Sequence, residues 1–173
     1  MIDQSIYQFN VQKLNGEEVN LSSYKNKVLL IVNTASQCGF TPQLKDLEKL
    51  RLEFEGQDFE ILAFPSNDFG GQEPLEGKSI GKFCQINFGV HFPVFSKLKV
   101  KGRDAHPLFK FLGNKKQNGH VQSSPWWNFH KYLVDRNGEV IDFFYPFTKP
   151  SSGRLKKQIE KLLAAGQEPV KAW

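Results

Sequence analysis

Cysteine is scarce in this chain, because only two of its 173 residues, Cys38 and Cys84, carry a thiol. Two cysteines so far apart provide neither a disulfide framework nor the close spacing of a zinc site. They suit a reducing cytosol, where a bond between them would take part in chemistry rather than in stability. The histidines have no ligand spacing with either cysteine; they are His91, His106, His120 and His130. The sequence therefore predicts no metal site and no cofactor.

Long apolar runs are also absent. No segment approaches the ~20 consecutive apolar residues that a membrane-spanning helix needs. The first ten residues, MIDQSIYQFN, lack the basic start and the apolar centre of an export signal. We therefore expect a cytoplasmic protein without a membrane span. Since no repeat or interdomain linker is visible, residues 1–173 are predicted to form one domain, with a loose tail at about residues 167–173.

The formal net charge of +5 does not identify a partner. A positive protein attracts acidic partners and anionic substrates in general. The basic residues that would serve a nucleic-acid binder alternate with apolar residues or line one helix face: Lys97, Lys99, Lys101, Arg103, Lys156 and Lys157. A solvated surface explains this pattern better, so no nucleic-acid partner is expected.

The chain is organised around a buried strand that is followed by a helix. Residues 28–32, VLLIV, form the uninterrupted apolar run of a strand that is buried on both faces. Thr41 is a good helix N-cap, and Pro42 suits the first helical position. An apolar face then repeats at spacings of three and four residues: Leu44, Leu47, Leu50 and Phe54. Cys38 therefore lies between the end of a buried strand and the start of a helix.

This position favours a reactive cysteine. Free backbone N–H groups and the helix dipole stabilise an anion at a helix N-terminus, and a cysteine can supply one as its thiolate. The alternative is a small cysteine that only fills the core, which would be the better interpretation for an arbitrary cysteine. At this junction we favour the reactive interpretation of Cys38.

The remaining elements complete an α/β pattern. An N-terminal β-hairpin is predicted from alternating apolar residues around an Asn15-Gly16 turn: Tyr7, Phe9 and Val11, then Val19 and Leu21. Residues 59–65 form a second buried strand, parallel to the first. The loop at 66–74 then leaves the edge of the sheet that carries Cys38, where open α/β sheets build their sites. This loop contains Gln72, which taken alone would be interpreted as a solvated amide.

The second half of the chain is predicted to hold a helix, a short helix, a second hairpin and a closing helix. Cys84 lies on or beside the apolar face of the first of these, with Ile80, Phe83 and Phe88, and a buried inert thiol is the alternative to a reactive one. The short helix spans 107–112 and is followed by a polar surface loop at 113–125. The hairpin comes next, and the closing helix has an apolar stripe: Leu155, Ile159, Leu162 and Leu163.

After the first hairpin, the predicted order is β-α-β-α-β-β-α. This is the order of a thioredoxin-like fold, an α/β class in which helices flank a central mixed β-sheet. The reactive cysteine of that fold lies at the strand–helix turn, where this chain has Cys38. The position three residues later is Thr41, so there is no C-x-x-C pair. If Cys38 cycles through a disulfide, Cys84 is the only available partner.

Three separated segments carry distinctive motifs: NTASQCGFTPQ around Cys38, ILAFPSNDFGGQEP ending near Gln72, and WNFHKYLV beginning at Trp127. Together these segments resemble the glutathione peroxidase family. Shorter similarities, FCQINFGVHFPVF and FTKPSS, extend the resemblance over nearly the whole chain. The resemblance implies that Cys38 reduces the peroxide, and that Gln72, Trp127 and Asn128 complete the catalytic set. It implies a peroxidase that acts on hydrogen peroxide and organic hydroperoxides through a Cys38 sulfenic acid.

The residue types suit that chemistry. Attack on a peroxide oxygen needs a thiolate, because the thiol is a poor nucleophile. Gln72 and Asn128 can each offer an amide N–H, and Trp127 an indole N–H, to the sulfur or to the peroxide oxygens. Fixed neutral donors stabilise the negative charge that develops on the leaving oxygen. The neighbouring Trp126 is interpreted as core packing.

The resemblance also implies a role for Cys84. It matches the resolving cysteine of the thioredoxin-dependent, 2-Cys members of the family. Cys84 would attack the sulfenic acid, and thioredoxin would reduce the resulting disulfide. Because bonded cysteines need Cα atoms within ~7 Å, we expect the helix around Cys84 to unwind locally during turnover.

The second motif departs from the family pattern at two positions. Ser66 stands where a cysteine is common, which leaves Cys84 as the only resolving candidate, and Asp68 replaces a common glutamine. The loop before Trp127 is short beside that of tetrameric members, so a monomer is expected. No dedicated glutathione-binding set is visible, which favours thioredoxin over glutathione as the reductant.

Two alternatives keep the position of Cys38 but change the function. A thioredoxin-like thiol–disulfide protein without peroxidase activity is disfavoured by the missing C-x-x-C pair and by the Gln72, Trp127 and Asn128 set. A peroxide sensor that passes its oxidation to another protein uses the same Cys38 chemistry and stays open. The preferred hydroperoxide also stays open.

Overall fold

A mixed β-sheet between helices forms the centre of the molecule. The computed structural model describes residues 3–166, so the tail predicted at 167–173 lies outside the described residues. The strands are β1 (Asn10–Gln12), β2 (Glu18–Asn20), β3 (Val28–Thr34), β4 (Phe59–Pro65), β5 (Lys131–Val134) and β6 (Val140–Phe144). The α-helices are α1 (Gln43–Glu53), α2 (Lys78–Phe88), α3 (Pro107–Gly113), α4 (Lys115–Asn118) and α5 (Gly153–Ala164). Within residues 3–166, no helix combines the length and the apolar character that crossing a bilayer requires.

The strand order in the main sheet is β4-β3-β5-β6. Strands β3 and β4 are parallel, whereas β5 runs antiparallel to both β3 and β6. All seven residues of β3 are buried. Val28, Leu30 and Val32 belong to the apolar cluster on the side of α1 and α5, and Leu29 and Ile31 to the cluster on the other side. The prediction of a strand buried on both faces is confirmed.

This topology brings three loops to one edge of the sheet. The carboxyl ends of the parallel strands β3 and β4 meet there. Because β5 is antiparallel to β3, with Val32 paired to Lys131, the turn that precedes β5 lies at the same edge. Cys38, Gln72 and the Trp127–Asn128 pair are on these three loops, so the fold alone explains their proximity.

Two predicted boundaries are wrong. The N-terminal hairpin exists, but its strands are only three residues long, and Tyr7 lies in a 3-10 helix at Ile6–Gln8. The hydroxyl of Tyr7 donates to the Arg136 carbonyl at 3.0 Å, a distant contact that a local pattern does not reveal. The predicted surface loop at 113–125 contains α4 and the fully buried Asn118. Its amide donates to the carbonyls of Phe111, Leu112 and Val121, which stabilises this segment.

His130 is a buried histidine beside the third loop. It is fully buried, its Nε2 lies 3.2 Å from the Ser123 hydroxyl, and its ring packs against Tyr132 at a centroid distance of 5.0 Å. Burial, together with the nearby charge of Lys131, lowers the pKa of His130 to about 4. The neutral imidazole is therefore the form that the folded protein accommodates.

This pKa predicts a loss of stability in acid. Between pH 6.5 and 4, the unfolded chain binds a proton at His130 that the folded chain does not bind, so stability falls as the pH falls. From pH 7 to pH 4.5 we expect a loss of about 2 kcal/mol from this residue. Urea unfolding at both pH values should show a smaller loss for His130→Phe than for the wild type. Equal losses in the two proteins would contradict this prediction.

Candidate active site

Cys38 lies in a tight turn between β3 and α1. Its side chain is 8% exposed, and the backbone N–H of Phe40 donates to its sulfur at 3.4 Å. The Thr41 hydroxyl accepts from the Cys38 N–H at 2.8 Å and donates to the Ala35 carbonyl at 2.8 Å. The prediction that Thr41 caps the helix is wrong, because its side chain closes this turn and Pro42 occupies the N-cap position. Cys38 nevertheless precedes the first turn of α1, as expected.

The loop after β4 docks directly on the Cys38 turn. The backbone N–H of Gln37 donates to the Gln72 carbonyl at 2.9 Å, and the Ser36 N–H donates to the Glu73 carboxylate. Gly70 has a φ of +67° and lies against the Trp127 ring, where an added Cβ would be 3.4 Å from the ring edge. Close backbone approach by a glycine in the left-handed region thus places Gln72 next to the cysteine turn.

The third loop completes the group. The Asn128 side-chain amide donates to the Gln72 Oε1 at 3.0 Å, and Asn128 is fully buried. Trp127 packs against the apolar cluster that includes Cys38, with its ring 5.8 Å from the Phe69 ring. The structure therefore brings Gln72 and Asn128 into direct contact and gathers all four predicted residues at one edge of the sheet.

Asn33, at the end of β3, fixes the position of this third loop. Its side-chain amide donates to the Trp127 backbone carbonyl at 3.0 Å, and its backbone carbonyl accepts from the Phe129 N–H at 2.6 Å. Phe129 has a φ of +70°, which is unusual for a bulky residue. A polar residue that interrupts a buried apolar strand is the sequence signal that could have identified Asn33.

The hydrogen bond to the Cys38 sulfur comes from the backbone. Within residues 3–166, the side chains of Gln72, Trp127 and Asn128 form no hydrogen bond to that sulfur. Gln72 is linked to the cysteine turn by its backbone carbonyl, which accepts from the Gln37 N–H, and Asn128 is linked to Gln72 by its side-chain amide. Trp126 does not pack in the core as predicted, since 53% of its surface is exposed and only Trp127 turns inward.

Comparisons with known proteins show which family the chain belongs to. Residues 6–113 match the family model described as Glutathione peroxidase. The chain belongs to the glutathione peroxidase family. It is 52% identical to the glutathione peroxidase homolog BsaA of Staphylococcus epidermidis over 160 residues, which are 92% of this chain and 99% of that protein. It is 38% identical to Trgpx, whose apo crystal structure aligns over 92% of this chain and 95% of that chain with a TM-score of 0.73.

These matches confirm the family and the enzyme class, a peroxidase, that the sequence predicted. A thiol:disulfide interchange protein of the thioredoxin family from Chlorobium tepidum has a TM-score of 0.64. It covers 90% of this chain and 92% of that chain at 13% identity, so the likeness concerns the fold alone. The thioredoxin-like α/β fold with a mixed sheet is confirmed.

Cys84 lies on the buried side of α2 in this member of the family. It is 4% exposed, and it belongs to the same apolar cluster as Cys38. Both thiols are free. Burial, with a smaller contribution from the Glu73 carboxylate, raises the pKa of Cys84 to about 12. In this position Cys84 is a protonated thiol at neutral pH and a weak nucleophile.

Helix α2 has few features that would stabilise it. Its N-cap is Gly77, with no side-chain cap hydrogen bond, and its first turn contains no acidic residue. Gly81 lies in its interior, where glycine costs about 1 kcal/mol relative to alanine. Of its eleven residues, only Ile80 and Cys84 are buried. These features weaken the N-terminal part of α2, whereas Gly89 in the left-handed conformation caps its C-terminus.

A groove of about 330 Å³ opens beside the cysteine turn. Apolar residues line it together with one cation: Gly39, Phe40, Pro42 and Phe147, with Lys149. Gln43 and Asp46 of α1 and Ser151 complete the lining. Gly39 and Phe40 follow Cys38 directly, so the groove lies next to the cysteine turn, although Cys38 itself does not line it.

The two departures from the family motif have structural explanations. The Asp68 carboxylate accepts from the backbone N–H of Val100 at 2.6 Å and of Lys101 at 3.1 Å, so it holds the 97–101 segment. Ser66 is fully buried, and its hydroxyl accepts from the Asp68 N–H at 3.3 Å.

Within residues 3–166, no group of three or more His, Cys, Asp or Glu side chains could hold a metal ion.

Proposed function

We propose that this protein is a 2-Cys thiol peroxidase that reduces hydrogen peroxide and organic hydroperoxides and is recycled by thioredoxin. Cys38 is the peroxidatic nucleophile, and Gln72, Trp127 and Asn128 are the hydrogen-bond donors to the reacting peroxide. The observation that carries the proposal is the Asn128–Gln72 hydrogen bond at 3.0 Å, with Gln72 held to the Cys38 turn by its backbone. These contacts gather polar N–H groups from two loops beside one thiol.

The first chemical step oxidises Cys38. Its thiolate attacks one peroxide oxygen, the O–O bond breaks, and the sulfur becomes a sulfenic acid while the other oxygen leaves and gains a proton as water or alcohol. The Phe40 N–H at the sulfur and the N-terminus of α1 stabilise the thiolate. The amide and indole N–H groups stabilise the charge on the leaving oxygen.

The second step resolves the sulfenic acid. The Cys84 sulfur attacks the Cys38 sulfur, a disulfide forms, and the hydroxyl leaves as water with the Cys84 proton. As long as Cys84 stays buried in α2 its thiol stays protonated. We therefore include local unwinding of α2 in the mechanism, since exposure lowers the pKa of the thiol toward its ordinary value. The weak N-terminus of α2 supports this step.

The reductant then restores both thiols. A dithiol such as thioredoxin exchanges with the Cys38–Cys84 disulfide. It transfers two electrons and two protons to the enzyme, and its own two thiols become a disulfide. The groove beside Cys38 provides access for a partner or for the apolar part of an organic hydroperoxide.

We propose that residues 1–173 act as one domain, as a monomer, in the cytoplasm.

Peroxide-dependent oxidation of NADPH tests the proposal. The assay contains the protein, hydrogen peroxide or cumene hydroperoxide, thioredoxin, thioredoxin reductase and NADPH; a parallel assay replaces the reductant pair with glutathione and glutathione reductase. We expect turnover with thioredoxin and little with glutathione. Turnover with glutathione alone would overturn the thioredoxin assignment. Oxidation of Cys38 by peroxide without turnover in either assay would favour the sensor that passes its oxidation to another protein.

A further inference from the structure

Lys131 is a buried lysine that the proposed chemistry does not use. It lies at the start of β5, next to the turn that carries Trp127 and Asn128, and it is fully buried. Its Nζ donates to the Phe129 carbonyl at 2.8 Å and to the Pro146 carbonyl at 3.3 Å. Within residues 3–166 it forms no salt bridge. Burial lowers the pKa of Lys131 to about 7.

The position of this amine is costly for folding. A buried amine without a carboxylate partner loses its hydration and regains only part of it from carbonyl groups. An apolar side chain of similar length would avoid this cost. A gain in global stability therefore does not account for the two hydrogen bonds of Lys131. The positions of the two acceptor carbonyls indicate a local role instead.

Both acceptors belong to segments that define the candidate active site. The Phe129 carbonyl follows Asn128 directly, and Phe129 holds the left-handed conformation that turns the chain into β5. That conformation costs on the order of 1–2 kcal/mol for a residue other than glycine, so it persists only where hydrogen bonds fix it. The Phe129 N–H is bonded to Asn33, and its carbonyl is bonded to Lys131.

The second acceptor links this turn to the helix that follows Cys38. The Pro146 carbonyl also accepts from the Gln43 side-chain amide at 2.7 Å, and Gln43 is the first residue of α1. Lys131 and Gln43 thus meet at one carbonyl beneath the site. The chain of contacts runs from the start of α1, through Pro146 and Lys131, to the turn that carries Asn128.

We propose that Lys131 is a positioning residue for the peroxidase reaction, which holds Trp127 and Asn128 at a fixed distance from Cys38 through the Phe129 and Pro146 carbonyls. This proposal rests on the proposed function for its catalytic consequence. A small displacement of oriented donors has a large effect on rate. Loss of Lys131 should therefore impair the reaction with peroxide more than it impairs the thiol itself.

Lys131→Met tests the proposal, because methionine has a similar length and no N–H donor. The rate constants of Cys38 with hydrogen peroxide and with iodoacetamide are measured in a Cys84→Ser background, where Cys38 is the only thiol. We expect the peroxide rate constant to fall by about tenfold or more, whereas the alkylation rate constant stays within about threefold. Tyr132→Phe is the matched control, since it removes a buried hydrogen bond of the next residue in β5, and should change neither rate constant.

Hydrogen exchange provides a readout that does not depend on activity. The Phe129 amide should exchange about tenfold faster in Lys131→Met than in the parent protein, with β5 amides such as that of Leu133 unchanged. If the parent itself fails to react with peroxide, the proposed function fails, and this exchange measurement alone decides the positioning role. If Lys131→Met does not fold, Gln43→Met, which removes the other donor to Pro146, replaces it in the same measurements.

Three results would overturn the proposal. They are an unchanged peroxide rate constant, an equal decrease of the peroxide and alkylation rate constants, and, where the parent does not react, an unchanged exchange rate at Phe129. An equal decrease would mean that Lys131 affects the ionisation of the thiol and not the placement of the donors.

Discussion

Cys84→Ser protein is expected to consume about one equivalent of hydroperoxide and then to stop, even with thioredoxin, thioredoxin reductase and NADPH present. The variant retains Cys38 and its donors, so the sulfenic acid still forms. Without a second thiol in the chain, no internal disulfide follows for thioredoxin to reduce. The wild type should turn over continuously under the same conditions. A mass increase of one oxygen on Cys38 identifies the trapped product.

Gln85→Ser is the matched control for this experiment. Gln85 is exposed and neighbours Cys84 on α2, so its replacement perturbs the helix without removing the thiol. It should retain thioredoxin-driven turnover. Full turnover of Cys84→Ser with thioredoxin would show that Cys84 does not resolve the sulfenic acid.

Hydrogen exchange in the wild type and in Cys84→Ser shows whether α2 opens. After treatment with peroxide, the amides of Lys78–Phe88 should exchange faster in the wild type, because the disulfide removes Cys84 from the buried side of the helix. Cys84→Ser should keep the slow exchange of the reduced form. A wild-type disulfide form with unchanged exchange in α2 would contradict the unwinding step.

Replacement of Gln72 and Asn128 by alanine is expected to produce the second large effect. Each single variant should lower the rate constant of Cys38 with hydrogen peroxide by about a hundredfold, the usual effect of one preorganised donor at a developing oxyanion. The double variant should lose less than the product of the two, because Asn128 donates to Gln72 and each residue orients the other. Stopped-flow oxidation of the reduced proteins provides these rate constants.

A loss of folding has to be separated from a loss of chemistry in these variants. Asn118→Ala is the matched control, since Asn118 is also fully buried and bonded to several backbone carbonyls, but in the α3–α4 segment. It should lose stability in urea unfolding and keep the wild-type rate constant with peroxide. Rate constants of Gln72→Ala and Asn128→Ala within threefold of the wild type would reject their role as donors.

The main elements of the fold could be predicted because their patterns are local. The apolar run at 28–32 and the apolar stripes of α1, α2 and α5 appear as expected. The alternation at Tyr7 and Phe9 wrongly predicted that the first strand of the hairpin includes Tyr7. A 3-10 turn occupies that segment, because contacts with the distant 136–138 turn fix it. A local pattern does not encode which distant partner fixes a short element.

The four residues of the candidate site could be named from motifs, but not the contacts that support them. Trp126 and Trp127 are adjacent aromatic residues, and no local pattern indicates that Trp127 packs inward while Trp126 is exposed. Lys131 follows Phe129 and His130 and precedes Tyr132, and a lysine side chain is mostly exposed in folded proteins. Its complete burial depends on the Phe129 and Pro146 carbonyls, which fold back from different loops.

The Thr41 hydroxyl, which bridges Cys38 and Ala35, has a consequence for the timing of the catalytic cycle. Proteins with C-x-x-C carry a second sulfur at this place, and an oxidised first sulfur is captured there almost immediately. Here that place holds an inert alcohol. In the proposed mechanism, the Cys38 sulfenic acid therefore persists until α2 unwinds. The stability of α2 would then set how long the oxidised enzyme can react with thiols of other molecules.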